Sequence, residues 1–277
     1  MALIGLAAHY DVVLLDESGH YNLRDGALAA GKPIATFKHL DAADLARVLA
    51  QATRDGARPL VATDGMFPTY GSIAPLADYV RLLAPHQGWL IVDESHSFGV
   101  LGATGRGAVE QHGVEGQRVV AGGSLGKAFA AYGGLAVGSA DAVADLWKSP
   151  PARGAASGMA SGAAMTAASL NWLRAHPQQL SKLRANVRYL KDGRRQIGLQ
   201  TNTTDAPVAT FARGNAAQMK ALQQALWADG IFVIYSTYVG AGADGAIRIA
   251  AFADHEPADF EQLFSRLRHF MLNIPAN

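Results

Sequence analysis

Short apolar runs recur along the first half of the chain, each bounded by acids, glycines or prolines. Asp11-Val12-Val13-Leu14-Leu15-Asp16, Pro33 to Phe37, Pro59 to Thr63, Gly88 to Asp93 and Arg118 to Ala121 read as strands buried on both faces. Between them apolar residues fall at helical spacing. Leu23 to Ala30 is stopped by Gly31, Asp41 caps a helix carrying Leu45, Val48 and Leu49 on one face, and a third helix runs from Pro75 to Leu83. Continuous apolar strands alternating with helices predict an α/β fold, a mostly parallel sheet covered by helices. Ligands on such sheets collect at the carboxyl ends of the strands, where Asp16, Thr63-Asp64, Asp93 and Ser124 fall.

After Ser139 the pattern changes. Asp141 to Lys148 is helical, Ser149 to Gly154 reads as a break, and a Gly/Ala/Ser-rich passage to Gly162 leads into a helix from Met165 to Ala175. Gln178 to Ile197 predicts a long helix whose Lys and Arg residues read as a solvated face. A smaller α+β unit follows: strand Pro207 to Phe211, helix Asn215 to Asp229, strands Ile231 to Tyr235 and Ala246 to Ala251. It ends in a helix whose Phe260, Leu263, Phe264, Leu267, Phe270 and Met271 form one apolar core stripe. The predicted boundary divides residues 1–177 from residues 178–277.

Composition narrows the classes of function. A chain of 277 residues, 49% hydrophobic and 17% charged, suits one large core or two domains. A net charge of +1 supplies no basic field for nucleic acid. Zero cysteines removes disulfides, thiolate catalysis and Cys-ligated metals together. No apolar run approaches the ~20 residues of a membrane span, and the first residues carry no positive leader; the expected setting is cytoplasmic.

Two nucleotide motifs fail on context. Gly240-Ala241-Gly242-Ala243-Asp244-Gly245 spells G-x-G-x-x-G but precedes a strand, so no helix start faces a pyrophosphate. Around Lys127, a P-loop would need glycine at 121 and Ser/Thr at 128, where the chain has Ala121 and Ala128. What remains is Gly122-Gly123-Ser124-Leu125-Gly126-Lys127-Ala128, a lysine in a tight turn after a strand. It reads either as a poorly hydrated amine of lowered pKa suited to Schiff-base chemistry or as a surface lysine in a glycine-rich loop. Upstream, Asp93-Glu94-Ser95-His96-Ser97-Phe98-Gly99 ends a buried strand. Asp93 could cap a helix and His96 sit satisfied in the core. The same layout also fits a pyridoxal 5'-phosphate (PLP) site, where an amine holds the aldehyde carbon and a carboxylate keeps the pyridine nitrogen protonated.

With Asp93-Glu94-Ser95-His96, Gly99-Val100-Leu101-Gly102, Gly105-Arg106-Gly107 and Ser124-Leu125-Gly126-Lys127-Ala128 in this order, the chain from about Asp11 onward resembles the α-oxoamine synthases. These are fold-type-I PLP enzymes that condense an amino acid with an acyl-CoA. The resemblance implies a PLP-binding large domain over 1–177, a small carboxyl-terminal domain over 178–277, and a homodimer. It gives Lys127 the Schiff-base and proton-removing role and makes Asp93 the partner of the pyridine nitrogen. His96 would bond the phenolic oxygen and polarise the thioester. Ser124 would contact the phosphate, His20 of Asp16-Glu17-Ser18-Gly19-His20 would stack on the ring, and Arg248 would take the amino-acid carboxylate. Taken without the resemblance, His20 reads as a turn residue and Arg248 as a strand arginine paired to an acid.

Three departures accompany the resemblance. Family members carry an amino-terminal, phosphate-gripping segment before the position of Met1, so the large domain is expected to be shortened. Pro68 in Phe67-Pro68-Thr69-Tyr70 stands where a serine hydroxyl is usual. Ala155-Ala156-Ser157-Gly158-Met159 replaces a Ser/Thr-then-proline pattern, leaving Ser157 in the place that reaches a neighbouring subunit's phosphate. A non-catalytic relative acting as a partner subunit and another fold-type-I enzyme such as an aminotransferase are the competing readings.

Overall fold

In the computed structural model, which describes residues 1–116, 118–154 and 158–271, strands and helices alternate through the first half of the chain. They are α1 (Ala2–Gly5), β1 (Val12–Asp16), α2 (Tyr21–Ala29), β2 (Ile34–Phe37), α3 (Ala42–Ala52), β3 (Pro59–Asp64), α4 (Leu76–Leu83), β4 (Trp89–Asp93), α5 (Ala108–Gln111), β5 (Val119–Ser124) and β6 (Gly134–Val137). Then come α6 (Ala140–Lys148), α7 (Pro150–Gly154), α8 (Ala160–Ala175), α9 (Gln178–Gln196), β7 (Val208–Phe211), α10 (Ala216–Ala228), β8 (Ile234–Ser236), β9 (Ala246–Ala250) and α11 (Pro257–Met271). The chain forms two compact units: Met1–Met66 with Ile73–Ala175, and Phe67–Ser72 with the residues from His176 onward.

The first unit is the predicted α/β sheet. Its order is β2-β1-β3-β4-β5-β6, parallel throughout except for the antiparallel β6. Strand alternation sends Val13, Leu15, Leu60, Ala62, Trp89, Ile91 and Val120 to one face, where they join Leu3, Leu23, Ala27 and Leu146 in a core cluster. The opposite face receives α3 and α4, whose Leu45, Val48, Leu49, Leu76, Tyr79 and Leu83 are all buried. The Asp41 side chain caps α3 by accepting from the Asp44 N–H at 2.8 Å.

The second unit has a sheet of order β7-β9-β8, antiparallel throughout. Phe260, Leu263, Phe264 and Leu267 of α11 pack with Val187, Leu190, Met219, Leu222, Ile247 and Ile249, and Phe270 lies against the edge of this core. The Met271 side chain lies outside the described residues.

Four local expectations change. The break expected over 149–154 falls at the extended Ser149, where α6 ends, and residues 150–154 then turn helically as α7, because Pro151 is tolerated in a first turn whose N–H groups need no partner. The strand expected from Ile231 begins at Ile234. β6 was not anticipated, and although Leu135 and Val137 alternate with small residues along it, all four of its residues are exposed. The charged face of α9 is not wholly solvated, for Lys191 and Arg194 are buried. Arg194 stacks its guanidinium 5.2 Å from the Phe211 ring centre and donates to the carbonyls of Gln200 and Thr210. Burial pushes its pKa down to about 10. Among the described residues no helix is long and apolar enough to cross a membrane.

Candidate active site

The carboxyl ends of β3, β4 and β5 meet in register: Asp64 pairs with Asp93, and Asp93 with Gly122. Parallel pairing therefore brings two acids and the start of the lysine-bearing turn to one sheet edge. Asp93 is half-buried, and its Oδ1 accepts the Ser95 N–H at 2.8 Å. Ser95 Oγ in turn accepts the Ser124 N–H at 2.8 Å, tying the end of β5 to the loop after β4. The Ser124 hydroxyl accepts the Gly126 N–H at 3.1 Å and so shapes the turn that presents Lys127.

Lys127 Nζ lies 2.9 Å from His96 Nε2. Of the two readings of this turn, poorly hydrated or on the surface, the exposed one is seen. Lys127 is exposed, and so are its neighbours Gly126 and Ala128, whose small side chains give it no cover. His20 sits at the start of α2, where its Nδ1 accepts the Asn22 N–H at 3.1 Å and its ring lies 4.2 Å from that of Tyr21. Burial lowers the His20 pKa; Asp93 opposes that shift and Lys127 adds to it. His20, Asp93 and Lys127 therefore share one electrostatic neighbourhood in the first unit, with His96 in contact with the lysine.

Asp64 and Glu94 had been given no role. Asp64 is buried, and its Oδ2 accepts the His20 N–H at 2.8 Å. Burial pushes its carboxyl up to about 7, against the lowering effect of that hydrogen bond, and Asp93 adds to the rise. Its position at a strand end was the available signal. Glu94 is fully buried; it accepts from the Ala108 and Val109 N–H groups at 2.8 Å each and from the Ser97 hydroxyl. It thereby closes the glycine-rich loop 97–109 onto the end of β4. Gly99, at φ +76°, sits where a Cβ would come within 2.7 Å of the Ala128 Cβ, so the loop packs directly on the lysine turn.

Arg248 belongs to the second unit, on β9, where it is half-buried and donates Nε–H to the Pro68 carbonyl at 2.8 Å. Burial lowers its pKa. Among the described residues, its hydrogen bond goes to this backbone carbonyl and not to an acid. Ser157 lies outside the described residues.

The donor set of the first unit fits PLP: a lysine amine for the aldehyde, a strand-end carboxylate for the pyridine nitrogen, an imidazole on the amine, and a serine hydroxyl on a turn of small residues for the phosphate.

The family described as "Aminotransferase class I and II" matches residues 1–267. The 8-amino-7-oxononanoate synthase of Symbiobacterium thermophilum is 33% identical over 228 residues, covering 82% of this chain and 58% of that protein. That of Thioalkalivibrio sulfidiphilus is 33% identical over 274 residues, covering 98% of this chain and 69% of that protein. The solved serine palmitoyltransferase of Sphingomonas wittichii superposes with a TM-score of 0.89 at 26% identity, over 99% of this chain and 71% of that one. An S. paucimobilis serine palmitoyltransferase with PLP and myriocin bound gives a TM-score of 0.89 at 25% identity, over 98% and 70% of the two chains. The chain thus spans 58% of the length of the Symbiobacterium synthase.

Proposed function

Because the chain belongs to the class I and II aminotransferases, and among them to the α-oxoamine synthases, we propose that it is a PLP-dependent C-acyltransferase. It condenses an amino acid with an acyl-CoA to give an α-amino ketone. The observation that carries this reading is the Lys127–His96 contact at 2.9 Å beside the strand-end carboxylate Asp93. Lys127, Asp93, His96, His20 and Ser124 would hold the cofactor, and Arg248 the substrate carboxylate. When bound, PLP supplies an aldehyde that takes an amine and a protonated ring that draws electrons from the adjacent carbon.

The chain's own groups do the rest. Lys127 Nζ is the base that takes the α-proton of the amino acid. His96 Nε2, within hydrogen-bond reach of that nitrogen, steadies the amine and would donate toward the thioester oxygen. Asp93, fixed by the Ser95 N–H, presents a carboxylate whose negative charge favours a protonated partner nitrogen. Arg248, with Nε anchored on Pro68, offers a planar cation suited to a two-point grip on carboxylate. The reading includes a homodimer in the cytoplasm, the compartment that holds acyl-CoA. Exposed apolar residues on β6 and α8, including Leu135, Val137, Met165 and Trp172, supply an apolar surface for a second copy.

Titrating the purified protein with PLP is expected to produce a visible absorption band that Lys127→Ala abolishes. Glycine, alanine or serine together with an acyl-CoA should then release free CoA thiol, and Lys127→Ala should lower that rate by at least about 10²–10⁴-fold. Amino-group exchange onto a keto acid without CoA release would make the protein an aminotransferase instead.

A further inference from the structure

The segment Phe67–Ser72 belongs to the second unit, although the residues on either side of it, Met66 and Ile73, pair with each other in the first. Side chains of the second unit take four consecutive carbonyls of this strap. Arg248 Nε donates to Pro68 O at 2.8 Å, the Thr210 hydroxyl to Thr69 O, Asn202 Nδ2 to Tyr70 O, and the Thr204 hydroxyl to Gly71 O at 2.9 Å. The Thr69 hydroxyl donates to Val239 O at 2.6 Å. Gly71 sits at φ +70°, where a Cβ would come within 2.6 Å of the Ala206 Cβ and 2.7 Å of Val208 Cγ2, so only glycine lets the strap lie this close.

Behind the grip is Lys191, 4% exposed on α9. Its Nζ donates to Asn202 Oδ1 at 2.8 Å and to the Thr204 carbonyl. A buried ammonium is expensive to keep. What it does here is claim the oxygen of the Asn202 amide, which turns the NH2 of that amide toward Tyr70 O. Lys191, Asn202 and Thr204 thus help to determine the strap's path at Tyr70 and Gly71, and its first carbonyl determines where Arg248 Nε goes. A guanidinium is rigid and planar, so fixing Nε also fixes the plane of its two terminal nitrogens.

We infer that the 68–71 strap sets the aim of Arg248, and that Lys191, Asn202 and Thr204 are positioning residues for the carboxylate of the amino-acid substrate. This rests on the role given to Arg248 above. The test uses the full chain loaded with PLP and compares the native protein with Lys191→Met, Thr204→Val and Arg248→Lys. Lys191→Met and Thr204→Val should each raise the KM for the amino acid about tenfold. Their kcat should stay within about twofold of native, with the KM for the acyl-CoA and the visible cofactor band unmoved, the signature of lost substrate binding rather than lost chemistry. Amide hydrogen exchange over residues 67–72 should speed up in both, a readout that needs no turnover. Exchange that accelerates without any change in amino-acid KM overturns the inference, as does a parallel rise in both KM values. If Arg248→Lys raises the amino-acid KM and the strap variants do not, only the strap inference fails. If Arg248→Lys also leaves it unchanged, the role of Arg248 fails and takes the strap with it.

Discussion

Asp64 shows how one side chain ties the candidate site to stability. Its carboxyl ionises near pH 4 in an unfolded chain and at about 7 in the folded one, because burial penalises the charge. Between those limits the folded protein holds a proton that the unfolded chain has lost, so stability falls as pH rises through the window and the loss is complete above it. Asp64→Asn keeps an oxygen for the His20 N–H and removes the charge. The variant's thermal midpoint relative to native should climb from pH 4 to 7 and then level off, with a free-energy difference on the order of 4 kcal/mol at the plateau. A difference that stays flat with pH would remove Asp64 as the titrating group. Lys127 teaches a different lesson at this scale. Glycine and alanine around a lysine suit either a tightly packed amine or one left in the open past a strand end, and the open arrangement is the one that forms here. What local sequence could show was which residue bears the amine; its hydration depended on what lies over the turn.

At the scale of elements, the loop that follows β4 is held by Glu94. Glu94→Ala would strand the buried N–H groups of Ala108 and Val109. It should cost about 2–5 kcal/mol, read as a lower urea midpoint, while Glu94→Gln, which keeps an acceptor, should cost less. Equal losses in the two variants would show that the hydrogen bonds are not what the glutamate contributes. At α3 the corresponding device was legible in advance: Asp41 caps the helix, and Asp41→Ala should cost about 1 kcal/mol by chemical denaturation. Strands and helices of the first unit were readable because the strands are continuous apolar runs buried on both faces and the helices repeat their apolar residues with a period of 3.6. β6 was not, because it pairs antiparallel on β5 through backbone bonds alone and buries no side chain. Lys191 and Arg194 were misread for a related reason. Their charge predicts a solvated face, and only the carbonyls and the Phe211 ring facing α9 make their burial tolerable.

For the whole molecule, cofactor and fold are linked. A ligand that binds only the folded state adds about 2.7 kcal/mol at a hundred times its dissociation constant. PLP at that excess should raise the melting temperature by several degrees, and Lys127→Ala should remove most of the gain; an unchanged midpoint in the native protein would count against cofactor binding. By itself the sequence determined the alternation of buried strands and helices, and with it a parallel α/β sheet whose strand ends carry Asp64, Asp93 and the Lys127 turn. Those features are local, since periodicity and the chemistry at the end of an apolar run need no knowledge of distant residues. Only the tertiary structure decided that His96 meets Lys127, that Asp64 holds His20 from forty-four positions away, and that Pro68 to Gly71 are gripped by residues from the far end of the chain. These are contacts between segments remote in sequence. Strand register and the packing of buried polar groups create them, and neither leaves a mark in any single stretch of the chain.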